Sequence, residues 1–415
     1  MKYRLIIFFI NTYCLQLCFA QDSLITKKLN EQSVEFSGEG LLSSNIFSNN
    51  FLATFYQGKK INNDIKDLAS RGIKDVNQLG GMSAVGLTYT YRSLEGLHKP
   101  IFSFSYFDRT HLDMKFSNDL FYLVFYGNKR FAGETARLGN FSVNYFRYQQ
   151  FCFGWKWLGD KHHGSYGFAF SMLNGEKNLS INSSKANLFT AADGSYIDFL
   201  IDMKIQQTDN AHQKYFSQNG IGLSADLFYE MPFVFWNKLG LVRMDIKDLG
   251  FINWNSRSSN YDINSSLHFD GVSVNKLFAL DSTVFSSKMD SLIKQSTVYT
   301  QKKYSSYIPG ILDFHTKSFY GKRVLIEKGF IWRFNTVAKL YYYAKIHFLA
   351  GRKKSLDFAY VFGYGGYGLY NSGLEIRSDF KKNYSLHFIS NYLFPGILSS
   401  SSLGVGLFIK VVRKI

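Results

Sequence analysis

Apolar and polar residues alternate with a period of two through most of this chain. Between Ser355 and Tyr364, Leu356, Phe358, Tyr360 and Phe362 fall on one side and Asp357, Ala359, Val361 and Gly363 on the other. Leu386, Phe388 and Tyr392 alternate with Ser385, His387 and Asn391, and Leu403, Val405, Leu407, Ile409 and Val411 with Gly404, Gly406 and Lys410. Upstream, Ile197, Phe199, Ile201, Met203 and Ile205 oppose Asp198, Asp202, Lys204 and Gln206, while Phe153, Trp155 and Trp157 oppose Cys152, Gly154 and Lys156. The pattern predicts strands near 83–92, 100–108, 119–126, 140–148, 150–158, 164–173, 195–207, 220–230 and 240–248. Others are predicted near 260–270, 310–320, 328–338, 340–350, 355–364, 373–380, 384–394 and 401–412. Asn62 to Asp75 and Ser286 to Ser296 carry helical spacing instead, each behind a capping residue. The segments near 260 and 310 read as parts of an insert, which leaves about 14 spanning strands, an even number.

Such ribbons, greasy on one side and mixed on the other, suit either a sandwich with the greasy side buried or a barrel with that side in lipid. The start of the chain separates the two. Lys2 and Arg4 precede an apolar run from Leu5 to Ile10 and a second patch up to Phe19, and Ala20 supplies the small residue of a cleavage site. Residues 1–20 are therefore expected to be a secretory signal peptide, and no later stretch reaches the 18 or so apolar residues of a spanning helix. Aromatics make up 18% of the chain, with 41 Phe and 28 Tyr, a loading that fits the girdles of a membrane barrel. The mean hydropathy of -0.13 is too polar for a helical membrane protein. The expected fold is thus all-β, a transmembrane antiparallel β-barrel in a bacterial outer membrane. Residues 21–80 are expected as a plug or rim segment and 81–415 as the barrel, with an insert near 253–306. Near the C-terminus, the short basic turns Arg352-Lys353-Lys354 and Lys381-Lys382-Asn383 alternate with longer links over 364–372 and 395–400. That alternation places the short turns at the periplasmic end.

Net charge is +17, spread over separate pairs such as Lys59-Lys60 and Lys302-Lys303. Basic loops of this kind suit outer-membrane lipid and lipopolysaccharide phosphate as partners, and the scatter argues against nucleic acid. Cys14 and Cys18 fall within the leader without the small residues of a lipid-anchor site, so Cys152 alone remains and no internal disulfide is expected. The polar faces carry the candidate lumen lining: Lys156, Asp198, Asp202, Lys204, Asp226, Glu230, Asp357, Glu375, Arg377, Asp379 and Lys410. They form either a charge-balanced lattice filling the interior or the lining of a solute pathway.

Catalytic motifs are weak. Gly363-Tyr364-Gly365-Gly366-Tyr367-Gly368 has dinucleotide-loop spacing, but strands are expected on both flanks where a helix is required. His387 and Ser390 are odd-spaced and fall on opposite faces, a poor nucleophile–base arrangement. Asp198 and Asp202 are four strand residues apart, roughly 13 Å at the strand rise, too far for a carboxylate dyad. His162-His163 sits in a turn without further ligands. No catalytic group, cofactor or metal is expected.

Several stretches carry a resemblance. They are Asn118-Asp119-Leu120, Tyr126-Gly127-Asn128-Lys129, Phe131-Ala132-Gly133, Leu173-Asn174-Gly175 and Thr190-Ala191-Ala192-Asp193-Gly194. To these are added Ile246-Lys247-Asp248-Leu249-Gly250-Phe251-Ile252-Asn253-Trp254 and Phe269-Asp270-Gly271-Val272. Together they resemble a family of Gram-negative outer-membrane β-barrels of unknown function, itself distantly similar to long-chain fatty-acid transporter barrels. The resemblance implies fold and location. Leu42-Ser43-Ser44-Asn45-Ile46-Phe47 departs from the proline- and alanine-containing opening usual in that family, and Val411-Val412-Arg413-Lys414-Ile415 lacks a terminal aromatic. The expected function is passage of small or amphipathic molecules without covalent chemistry. The alternative is a non-conducting barrel that serves other outer-membrane proteins as scaffold or accessory subunit.

Overall fold

A computed structural model describes residues 32–92, 100–159, 164–209, 214–235, 238–270, 297–351, 355–380, 383–392 and 403–415. The expected leader over 1–20, the helix over 286–296 and the basic residues 352–354 lie outside the described residues. The strands are β1 (Gln32–Ser44), β2 (Val76–Arg92), β3 (Ile101–Ser117), β4 (Thr135–Arg137), β5 (Ser142–Trp157), β6 (Ser165–Thr190) and β7 (Ile197–Gln207). Next come β8 (Gly220–Phe235), β9 (Lys238–Trp254), β10 (Ser259–Phe269), β11 (Thr297–Gln301), β12 (Tyr304–Tyr307) and β13 (Gly310–Tyr320). The last are β14 (Val324–Phe334), β15 (Lys339–Ala350), β16 (Leu356–Gly366), β17 (Tyr370–Phe380), β18 (Tyr384–Ser390) and β19 (Gly404–Lys414). Three helices, α1 (Asn49–Tyr56), α2 (Asn63–Arg71) and α3 (Asn118–Tyr126), interrupt them.

Fourteen strands close an antiparallel ring in the order β1-β2-β3-β5-β6-β8-β9-β13-β14-β15-β16-β17-β18-β19. The seam is a full ladder from Ser33↔Lys414 to Ser43↔Gly404. The first wall strand therefore lies inside the segment expected to be a plug or rim. Residues 32–44 and 76–80 are barrel wall, with α1 and α2 between them in the chain. Three more corrections concern strands. Residues 119–126 form α3, because the Ser117 hydroxyl accepts the Leu120 N–H at 3.2 Å and Asp119 sits in the first turn. Residues 142–157 form one strand, with a register shift between Arg147 and Tyr148. The segment near 310 is wall strand β13, whereas the one near 260 is β10, outside the ring.

The outward side of the ring is apolar and exposed. Leu87, Phe104, Phe170, Met172, Leu223, Leu249, Phe358 and Phe362 make its middle, with Tyr89, Tyr91, Phe102, Tyr166 and Tyr229 toward one end and Trp332, Tyr342, Tyr364 and Tyr370 toward the other. Apolar side chains turned out of a closed sheet between two aromatic girdles are wetted by lipid. Asn383 lies beside Lys414 and Ser355 beside Asp379, so the strand ends flanking both basic turns share one end of the barrel with Gln32 and Ile415, hereafter its terminal end. A charge on this belt tests the assignment. Phe170→Arg, at the middle of the lipid-facing side of β6 with 58% exposure, is expected to lower stability by about 2–4 kcal/mol in bilayers. Urea unfolding in liposomes checks it.

At the far end β6 runs on beyond the ring. Its outer half pairs with β7, β7 with β10 and β10 with β11, and β4 adds to its other side. One face of this projecting sheet is apolar: Ala186, Leu188 and Phe199 pack with Phe131, Ala136, Leu138, Leu120, Tyr122 and Leu123 under α3. Beside it, Ile46, Phe47, Phe51, Ala69, Phe116 and Phe121 join α1, α2 and α3 into one aromatic cluster over the rim. Tyr126 of α3 donates to Asp67 at 2.7 Å, and burial together with that carboxylate pushes its phenol up to about 12.

Candidate functional site

The inward face of the wall is where the charge lies, because the two-residue period that turns phenylalanines to lipid turns every second residue into the lumen. In the half nearer the termini, cross-strand register sets opposite charges side by side. Lys317 faces Glu327 and Glu327 faces Lys345 across adjacent strands. The contacts run from Lys317 Nζ to Glu327 at 3.3 Å, from Glu327 to Lys345 Nζ at 3.0 Å and from Lys345 to Glu375 at 3.1 Å. Glu375 also meets Arg377, and His387 Nε2 at 2.9 Å. His347, fully buried, lies 3.0 Å from Asp357 and 3.7 Å from Glu327. On β9, the strand next to β13, Arg243 forks onto Asp245 at 2.7 and 2.8 Å and reaches Glu230 at 3.5 Å. Its guanidinium and the Lys156 ammonium both lie over the Phe228 ring, 4.8 and 5.5 Å from its centre. Lys410 closes the circle on Glu35 at 2.6 Å.

Midway along the barrel, Asp248 adopts a left-handed backbone with φ 56° at a register shift between β8 and β9. This bulge turns Asp248 inward next to inward Lys247. Asp248 accepts from Arg109 Nη1 at 3.1 Å and from Gln150 Nε2 at 3.0 Å, while its own N–H donates to Asp226 at 2.8 Å. Above it, Phe146, Tyr148, Leu173, Ile252, Trp254, Tyr304 and Ile308 fill part of the interior.

The mouth opposite the termini is closed by turns rather than by the wall. The β14–β15 turn reaches across the lumen, where the Val337 N–H donates to Asp113 of β3 at 2.9 and 3.1 Å. The β16–β17 turn inserts Tyr367, whose hydroxyl donates to the same carboxylate at 2.8 Å. Its ring lies flat on Gly80, where a Cβ would come within 2.2 Å of the ring. Gln78 donates to the Gly366 carbonyl at 2.6 Å. Asp113 is thus a single buried latch holding two turns from the opposite side of the ring.

The residues expected to line the lumen divide. Lys156, Asp226, Glu230, Asp357, Glu375, Arg377 and Lys410 project inward, and Asp379 stands exposed at the terminal end of β17. Asp198, Asp202 and Lys204 do not line the lumen. They lie on the polar side of the projecting sheet, where Asp198 meets His268 at 2.6 Å, Asp202 takes the Ser184 hydroxyl at 2.5 Å and Lys204 lies 3.7 Å from Asp262. Their alternation is genuine, but β7 pairs only with the outer half of β6 and with β10. Glu39, Arg109, Asp113, Lys247, Asp248, Arg243, Lys317, Glu327 and Lys345 were not among the expected lining residues. The signal was present: Phe107, Arg109, His111 and Asp113 alternate within β3, past the point where the predicted strand stopped. The glycine-rich run 363–368 is the end of β16 and its turn into β17, and His387 and Ser390 sit on opposite faces of β18.

Residues 29–318 match the profile of a family described as a family of unknown function, DUF5723. The chain belongs to this family. Its longest recognisable stretch, Ile246 to Trp254, is the half of β9 that carries the bulge at Asp248. No curated protein matches the chain. Among solved structures it is similar to the TodX monoaromatic hydrocarbon channel, in a deltaS2S3 mutant, at 7% identity and a TM-score of 0.45, covering 93% of this chain and 91% of that one. It is also similar to the translocator domain of the autotransporter NalP from Neisseria meningitidis, at 7% identity and a TM-score of 0.35, over 94% and 91% of the two chains. The siderophore receptor PirA from Pseudomonas aeruginosa follows at 7% identity and a TM-score of 0.23, over 94% and 81%.

Proposed function

We propose that this chain is an integral outer-membrane barrel that passes small solutes through a gated lumen, without covalent chemistry, and that the latched mouth is its closed state. One observation carries the reading. Beneath a mouth shut by two turns, inward charged residues such as Glu39, Lys247 and Arg333 keep accessible surface although the wall surrounds them. Eight strands enclose just enough space for their own side chains, and 14 enclose more. The short turns at the terminal end fit the periplasmic side, and the helices and projecting sheet fit the outside, against lipopolysaccharide.

The projecting sheet favours a second reading, a non-conducting barrel that presents β4, β6, β7, β10 and β11 to another outer-membrane protein. Planar-bilayer conductance and liposome swelling distinguish the two. Solute-dependent swelling or voltage-dependent opening is the expected result. Silence across salts and voltages, together with co-purification in a large complex, would replace the conduit with the scaffold.

A further inference from the structure

One stretch of the lipid-facing wall is polar. On β3, β5 and β6 the outward side carries Phe104, Phe153, Phe170 and Met172, and the same register then brings Asp108, Arg147, Gln149 and Asn174 to that side. Glu176, the extra residue at the β6 register shift, lies among them. Arg147 Nε meets Glu176 at 3.0 Å, and Asp108 stands 3.7 Å from Arg147. Gln149 donates to the Glu176 carboxylate at 3.0 Å and accepts from Asn174 at 2.7 Å. Lys177 faces Arg147 across the β5–β6 ladder. From Tyr166 to Met172 the outward apolar run is roughly 20 Å of strand. The polar patch therefore begins where a hydrocarbon band of about 25 Å gives way to head groups. Tyr215 and Phe216, just ahead of β8, come down beside it. The Tyr215 hydroxyl lies 3.3 Å from that of Tyr106, its ring centre is 5.3 Å from the Arg147 guanidinium, and Phe216 stacks on Tyr106 at 6.2 Å. Phe216 has φ 64°, a state that a bulky residue keeps only where contacts hold it. Both rings are still half-exposed. Two acceptors of the patch are unused: Oε1 of Glu176, a residue 2% exposed, and Oδ1 of Asn174 are buried without a hydrogen-bond partner.

We propose that this patch seats the phosphorylated glucosamine head of lipopolysaccharide. The patch continues the lipid-wetted belt, so what meets it is a lipid head group. Unused acceptors call for hydroxyl or amide donors, and an acylated glucosamine carries both. Arg147 and Lys177 supply the cations for its phosphate, Glu176 and Asn174 the acceptors, and Tyr215 and Phe216 flat apolar faces for the sugar ring. The acids Asp108 and Glu176 offset the two cations, so recognition lies in donors and shape rather than in net charge. A bare phosphate head, as in phosphatidic acid, can use the cations alone. This assignment rests on the reading that puts the projecting sheet outside, and it makes no use of the lumen.

Native mass spectrometry of the delipidated, detergent-solubilised barrel tests it, with lipid A and phosphatidic acid in competition. The wild type should retain lipid A at least about tenfold more strongly than phosphatidic acid, the scale of one hydrogen bond to a charged group. Tyr215→Ala and Asn174→Leu should each remove most of that preference while keeping folded-barrel gel mobility. If either variant fails to fold, the other decides, and if both fail the wild-type competition does. The seat is overturned by equal retention of the two lipids in the wild type, or by a preference unmoved in folded Tyr215→Ala. The side of the membrane is checked separately by labelling Tyr215→Cys on intact cells with an impermeant maleimide, since Cys152 is buried. Labelling of intact cells is expected. Labelling only after the cells are broken would remove the outside reading and the seat with it, whereas labelling without lipid A preference would remove the seat alone. Neither readout passes through the lumen, so the conduit stands or falls on its own.

Discussion

Replacing Glu327 by alanine is expected to cost about 3–5 kcal/mol of barrel stability, the penalty for leaving a buried charge without its partner. Glu327 is 1% exposed, and among the described residues it is the only acid that ion-pairs with Lys317, which is itself 7% exposed. Lys345 keeps Glu375 at 3.1 Å, so the damage concentrates on Lys317. The double variant Lys317→Met, Glu327→Leu should recover most of the loss, because removing both charges removes the desolvation cost as well. Urea unfolding in liposomes, followed by tryptophan fluorescence and gel mobility, reads both. A single variant as stable as the wild type would show that water reaches Lys317 and that the lattice is wetter than its burial indicates.

The second large effect is expected at the mouth. Asp113→Ala strips the acceptor from the Val337 N–H and the Tyr367 hydroxyl, and each buried donor left unmade costs about 1–3 kcal/mol. Even the low end, roughly 2 kcal/mol for the pair, shifts a closed-to-open equilibrium about thirtyfold. Liposome swelling with arabinose should quicken accordingly. Asp113→Asn, which keeps an acceptor oxygen, should fall between the two. Gly80→Leu should act in the same direction by an independent route, because a Cβ there overlaps the Tyr367 ring and ejects the aromatic from its seat. Unchanged swelling in both the Asp113→Ala and Gly80→Leu barrels would mean that the two turns do not control entry.

The all-β class was legible in the alternation, since a period of two survives whichever strand lies alongside, and the start of the chain turned it into a barrel. The number 14 agrees although 119–126 is α3, 142–157 is one strand, and β1 and β13 fell outside the strands counted. Partnership was not legible. Asp198 and Asp357 sit in equally regular runs, yet one faces open solvent on β7 and the other meets His347 inside the barrel. What separates them is the length of β6, which ends eight residues upstream of Asp198. Helix α3 was hidden because Leu120 to Tyr126 is an unbroken apolar and aromatic run that reads equally as a buried strand; Ser117, one residue before the helix, decides it by capping. The mouth was out of reach for another reason. Asp113 and Tyr367 lie 254 residues apart, and nothing local to either announces the contact.

The 26-residue β6 is a single ribbon anchored in lipid at one end and carrying the outer sheet at the other. Where it leaves the ring, Glu176 is gripped by Arg147 and Gln149 at 3.0 Å each. Glu176 therefore sits at the joint where β6 gives up its pairing with β8 while keeping that with β5, so outer sheet and wall share one continuous backbone.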